Sequence, residues 1–241
     1  MSIWSSIGNA ISSAFTSVCE SVSKIGSSVA AFANDIKPTL GPLLATLAQV
    51  VPHPVVKALA TFANALLHVL AIFKPDETVD DMGERAMQAA EDGITPDKFE
   101  NFDEYMAELR SFELDPEVAE KRSKVEKITA GLGIATAGIE DKFNLATGSL
   151  NHLWLLPVSN SEYFTPDRVK SLLENGKLIG DISAYLEKRM SGEEASAFRK
   201  NFEFTPDGRP MNEGELGKLY DALDSSRAEW AKLQQELKTG D

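Results

Sequence analysis

Three histidines, one cysteine and 37 carboxylates are the side chains of this 241-residue chain best suited to chemistry. His53 lies between two prolines, His68 within an apolar run and His152 beside Leu153-Trp154. None of them has HExxH or another metal-ligand spacing. Cys19 stands alone, which excludes an internal disulfide and a cysteine cage. No base lies near it in sequence to activate it as a nucleophile, so its expected role is small filler in a helix. Carboxylates are so abundant that a pair can be assembled in almost any fold, and they read as a solvated acidic face. Asp207-Gly208 lacks the alternating oxygen ligands of an EF-hand loop. Gly131-Leu132-Gly133 follows a charged helical run rather than a strand, at the wrong spacing for a dinucleotide-binding turn. The expectation is a non-enzymatic protein with no cofactor and no metal. An enzyme with a carboxylate-based site is kept as the second alternative.

With no reaction indicated, the informative feature is a surface. From Ser2 to Ile36 bulky apolar residues recur every three or four positions, including Ile3, Ile7, Ile11, Phe15, Val18, Val22, Ile25, Val29, Phe32 and Ile36. The mean spacing is about 3.67, the period of a straight or slightly right-handed helix. The opposite face is serine rather than charge: Ser2, Ser5, Ser6, Ser12, Ser13, Ser17, Ser21, Ser23, Ser27 and Ser28. Burying ten such side chains yields on the order of 15–30 kcal/mol. Fixing the residues costs roughly 1–2 kcal/mol each, so this helix needs a receiving surface. The predicted contact row is Trp4, Ile7, Ile11, Phe15, Val18, Val22, Ile25 and Val29.

After a corner at Lys37-Pro38 come two apolar runs, 43–51 and 55–73, with Pro52-His53-Pro54 between them. They read as a helical hairpin. The second run presents Leu59, Phe62, Leu66 and Leu70 on one face and a polar stripe, Lys57, Thr61, Asn64 and His68, on another. That stripe suits a helix against protein or water, or a pore lining, better than a lipid-embedded span, where central charge costs several kcal/mol.

Charge divides the chain at the same place. Residues 1–74 carry four lysines against Glu20 and Asp35, a net +2, which leaves 20 basic and 35 acidic residues, a net −15, for 75–241. The predicted domains are therefore 1–74, an apolar arm, and 75–241, an acidic helical body. An acidic body without a basic, aromatic-laced patch argues against nucleic acid. Helices are expected from Thr95-Pro96 to about 112, from Asp115-Pro116 past 127, from Thr165-Pro166 to about 174, over 178–190, over 193–202 and over 213–237. The uncharged stretch 128–139 suits a close helix crossing, through Gly131, Ala135 and Gly138, or a second membrane-touching element. Strand signals are scarce.

The expected fold is all-α: a long N-terminal amphipathic helix and an apolar hairpin followed by an acidic helical domain. The expected function is membrane-active and oligomerising, the helix and hairpin binding or inserting into a bilayer as toxins, effectors or penetration proteins do. The alternative is a self-assembling scaffold whose N-terminal helices form the inter-subunit core. Partners are then a lipid membrane or copies of the chain itself, as a homo-oligomer. Charge is missing ahead of the first apolar residues, which speaks against a Sec signal and leaves a cytoplasmic location or a dedicated export route.

Overall fold

The computed structural model describes residues 15–49, 52–178 and 180–239. The fold is all-α, 68% helical. Among the described residues the extended pairing is a single isolated bridge between Phe204 and Pro210. The chain forms two compact units, Met1–Asn151 and His152–Asp241.

In the first unit, helix α1 covers 15–22 and passes through a 3-10 turn, Ser23–Ile25, to α2, Ser27–Ile36. The single helix expected over 2–36 is thus broken in its described part. The break is at Gly26, whose φ of 156° and ψ of 173° lie in a region essentially reserved for glycine. Asp97 fixes it from 70 residues away: its carboxylate accepts the Ser27 backbone N–H at 3.0 Å and the Ser27 hydroxyl at 2.8 Å. An acid at a helix start satisfies an orphan donor and complements the dipole. The same contact explains why Thr95-Pro96 opens no long helix. Pro96–Lys98 is one 3-10 turn, Phe99 is extended, and α6, Phe102–Ser111, starts afresh on an Asn101 cap that accepts the Glu104 N–H at 2.9 Å.

The hairpin is shorter than expected on both arms. Its first run gives α3, Gly41–Ala45, and a 3-10 turn, Thr46–Ala48; the second gives α4, Pro54–Val69, with Pro54 at its first turn and the His53 ring accepting the Val55 N–H. Next come α5, Val79–Glu91, capped by Thr78, and α7, Pro116–Lys121, capped by Asp115. The helix expected to run from 115 past 127 stops at Arg122, which is extended. Ser123 and Glu126 then form a capping box that starts α8, Lys124–Lys142.

Helix α8 is the axis of this unit, buried nearly continuously from Ile128 to Glu140. It crosses α5 with the two backbones in direct contact. A Cβ on Gly83 would stand 1.9 Å from the Lys127 carbonyl oxygen, and one on Gly131 would stand 1.7 Å from that of Val79. The expected close crossing is present at Gly131, and its partner is α5.

The second unit contains α9 (Leu155–Ser159), α10 (Pro166–Glu174), α11 (Ile182–Leu186), α12 (Gly192–Lys200) and α13 (Glu213–Thr239). The helix expected over 178–190 shrinks to α11, because Asp181 caps it late and Lys188 takes a positive φ of 57° just past its end. Leu219, Leu223, Trp230 and Leu233 of α13 are buried as their spacing predicts. Tyr185, Phe198, Phe202 and Phe164 form a chain of ring contacts with successive centroids 4.6, 5.1 and 6.1 Å apart.

Candidate functional site

The predicted contact row divides at the edge of the described residues. Trp4, Ile7 and Ile11 lie outside them. Phe15, Val18, Val22, Ile25 and Val29 are all buried in the folded monomer, and the row continues inward through Phe32 and Ile36. Its phase survives the kink at Gly26, and it is received by the same chain. Phe15 lies over Gly41, where a Cβ would be 2.8 Å from its ring, and Val29 and Phe32 meet α8 at Gly133. The described part of the row therefore has no face left for a partner while the unit is folded.

The hairpin row is interior in the same way, with Leu59, Phe62, Leu66 and Leu70 at 7% exposure or less. The polar stripe divides along its length. Lys57 and Thr61 are exposed, and the Thr61 hydroxyl donates to the Lys57 carbonyl at 3.1 Å. Asn64 instead accepts the Val79 N–H at 2.8 Å, and His68 Nε2 bonds the Glu77 carbonyl at 2.9 Å. The inner half of the stripe fastens α4 to the start of α5.

That junction, 74–78, is where charge and composition change. It is clamped rather than free. Arg110 of α6 bonds Glu77 through Nε at 2.7 Å and Nη2 at 3.0 Å, and also reaches the Ile72 carbonyl at 3.0 Å. Burial works to raise the Glu77 carboxyl, but the Arg110 guanidinium and the Lys74 N–H together hold it below the usual glutamate range. The compositional boundary at 74 thus falls inside the first compact unit, whose own limit is at Asn151.

Among the described residues, a cavity of about 290 Å³ in the first unit is lined by several carboxylates, as a carboxylate enzyme would need. Asp97, Glu100, Glu140 and Asp141 line it beside Phe99 and Phe102. Asp97 is occupied by Ser27, as described. Glu140 is buried and accepts the Gly148 N–H at 3.0 Å and the Leu150 N–H at 2.8 Å. Burial pushes its carboxyl above the ordinary range despite those two bonds. Both oxygens hold the 148–150 loop, and among the described residues no histidine, cysteine or lysine lines the cavity to share a proton. Among the described residues no group of three or more His, Cys, Asp or Glu could hold a metal ion. Cys19 is buried with its Sγ donating to the Ala33 carbonyl at 3.4 Å, and burial raises its thiol, so it is packed and unreactive.

A further buried network escaped the sequence. Glu84 of α5 accepts from Gln88 at 2.7 Å and Arg122 at 3.0 Å, with the Lys127 ammonium at 3.5 Å. Arg122 continues to Glu91 at 2.7 Å. Its partners lie 31 and 38 residues away, beyond any helical spacing, and a turned side chain on an extended residue leaves no periodic signal.

No helix among the described residues is long and apolar enough to cross a membrane. Comparison with known protein families, curated proteins and solved structures finds no match to this chain.

Proposed function

We propose that this chain is a membrane-active, non-enzymatic protein that docks on a bilayer through the apolar face beginning at Trp4, and that copies associate there. The observation that carries the reading is the residue pattern: an apolar helical row opposed by serine, with Glu20 the first charged residue. A face of that kind binds by inserting apolar side chains into packing defects rather than by attraction to lipid charge. Since the described row members Phe15, Val18, Val22, Ile25, Val29, Phe32 and Ile36 are buried in the folded monomer, this reading assigns direct docking to Trp4, Ile7 and Ile11. The hairpin row Leu59, Phe62, Leu66 and Leu70 reaches lipid in this reading only after the first unit opens, as a second step.

Flotation of the full chain with zwitterionic liposomes tests this. The wild-type chain rises with the vesicles, more with small curved ones, and Trp4→Ser/Ile7→Ser/Ile11→Ser stays at the bottom with an unchanged circular dichroism spectrum. A wild-type chain that never floats, or a triple variant that floats equally well, overturns the reading. Concentration-dependent oligomers in lipid-free light scattering, lost in the triple variant and without flotation, would transfer it to the scaffold alternative.

A further inference from the structure

A second cavity, of about 310 Å³, lies wholly within the second unit, between α12 and α13. Its charge runs against the rest of the molecule. In a chain of net charge −13, the lining brings together Arg199, Lys200 and Arg227 against one carboxylate, Glu203. Glu203 is engaged, since its Oε1 accepts the Tyr220 hydroxyl at 2.7 Å. Three cations face one occupied acid, with Asp224 pairing Arg199 from outside the lining, and the remaining positive charge lies in a partly enclosed space, where Coulomb interactions exceed those in open water.

The two arginines are held against aromatic rings. Arg227 lies over the Tyr185 ring at 5.0 Å, and Arg199 lies 5.9 Å from the same ring and 6.0 Å from that of Tyr220. Stacking engages the face of a guanidinium and leaves its in-plane N–H donors available for bidentate recognition of an oxyanion. The Nε atoms of both are buried without a hydrogen-bond partner. Arg227 has no ion pair or side-chain hydrogen bond among the described residues. Arg199 pairs with Asp224 at 3.6 Å, an acid with 63% of its side chain exposed, and sits against the Tyr185 hydroxyl. The Tyr185 hydroxyl, buried in the same cluster, is an acceptor beside them, so ligand recognition is left to the charge of Arg227, which no acid among the described residues pairs. Ser191 and Ser196 add hydroxyls to the lining.

We propose that this cavity is a binding site for a phosphate monoester, with Arg199 and Arg227 as its anchors and Lys200 supplying further charge. A dianion matches the surplus of cations better than a monoanionic carboxylate, and a guanidinium fork can donate two parallel hydrogen bonds to two oxygens of one phosphate. The cavity has room for the phosphate and a small organic residue, as in glycerol 3-phosphate or the exposed headgroup of a phosphatidic acid.

Isothermal titration of the full chain with glycerol 3-phosphate at low salt gives saturable binding, and acetate at equal ionic strength gives none. Arg227→Gln weakens the affinity about tenfold or more, the loss of about one charged hydrogen bond; Lys218→Gln, on the exposed face of α13, leaves it unchanged. Arg227→Lys keeps the charge but loses the fork and the ring stacking, and sits between the two, which keeps the test informative if the glutamine variant unfolds. Titration with phosphatidic acid vesicles, on the Trp4→Ser/Ile7→Ser/Ile11→Ser background, separates the sources. Recruitment abolished by Arg227→Gln assigns the site to a lipid headgroup; binding of glycerol 3-phosphate without recruitment assigns it to a soluble ligand. Absence of saturable binding by either probe, equal binding of acetate, or full affinity in Arg227→Gln overturns the proposal.

Discussion

The two compact units are held together by opposite means. In the first, α5 and α8 meet backbone to backbone, and the contact depends on side chains that do not exist, at Gly83 and Gly131. In the second, the interior is built from large rings, Phe164, Tyr185, Phe198, Phe202, Trp154 and Trp230. A helix pair in backbone contact has no rotamer through which to relax, whereas an aromatic cluster can partly collapse around a loss. The first unit should therefore be brittle to additions and the second sensitive, but graded, to deletions.

The largest effect expected is at the crossing. Gly131→Ala places a methyl inside the contact distance of the Val79 carbonyl, so α5 and α8 must separate. A loss of about 4 kcal/mol or more is expected by urea denaturation followed by circular dichroism, beyond the range typical of overpacking because the obstacle is backbone. A loss under about 1 kcal/mol would remove the distinction between the units. Phe202→Ala should cost about 3 kcal/mol in the same assay, and Phe202→Leu distinctly less. Equal costs for the two would mean that the ring contacts add nothing beyond volume.

Smaller effects come from two carboxylates of the first unit that titrate in opposite senses. Glu77 is held low by Arg110, so its contribution is present above the unfolded glutamate range and lost as pH falls through its depressed folded value. Glu140 is raised by burial, so its contribution is present below the unfolded range and lost as pH rises through its raised folded value. Glu77→Gln should cost about 2 kcal/mol at neutral pH, as expected for a charged hydrogen bond, and should flatten the acid limb of a stability–pH profile. Glu140→Gln should leave that limb intact and flatten the loss on the rising side. Identical profiles for the two variants would contradict the assignment.

Much of the helical plan was readable from local rules. Thr165 and Asp115 begin helices as their types predict, and α13 buries the face its leucines and Trp230 define. Apolar period located interior positions well, since every described member of the predicted contact row is buried. What period alone could not supply was the identity of the covering surface. A row that needs cover has the same pattern whether a bilayer, a second copy or α8 provides it, and the decisive neighbours are Gly41 and Gly133, residues without side chains. Long-range capping was equally hidden. Thr95-Pro96-Asp97 has the form of a helix start, yet Asp97 serves a helix 70 residues earlier. The arginine cavity was masked by the acidity of the chain around it, because net charge averages away a local group of three cations beside one acid.

The clamp on 74–78 bears on how this molecule can be divided. Severing the chain after Lys74 would strip the leading helices of their cover from α8, which lies wholly downstream, and would leave Glu77 behind with Arg110. Such a truncation product would be an oily remnant, prone to precipitate whether or not the intact chain ever meets a lipid. Greasy behaviour in a 1–74 fragment would thus be an artefact of amputation.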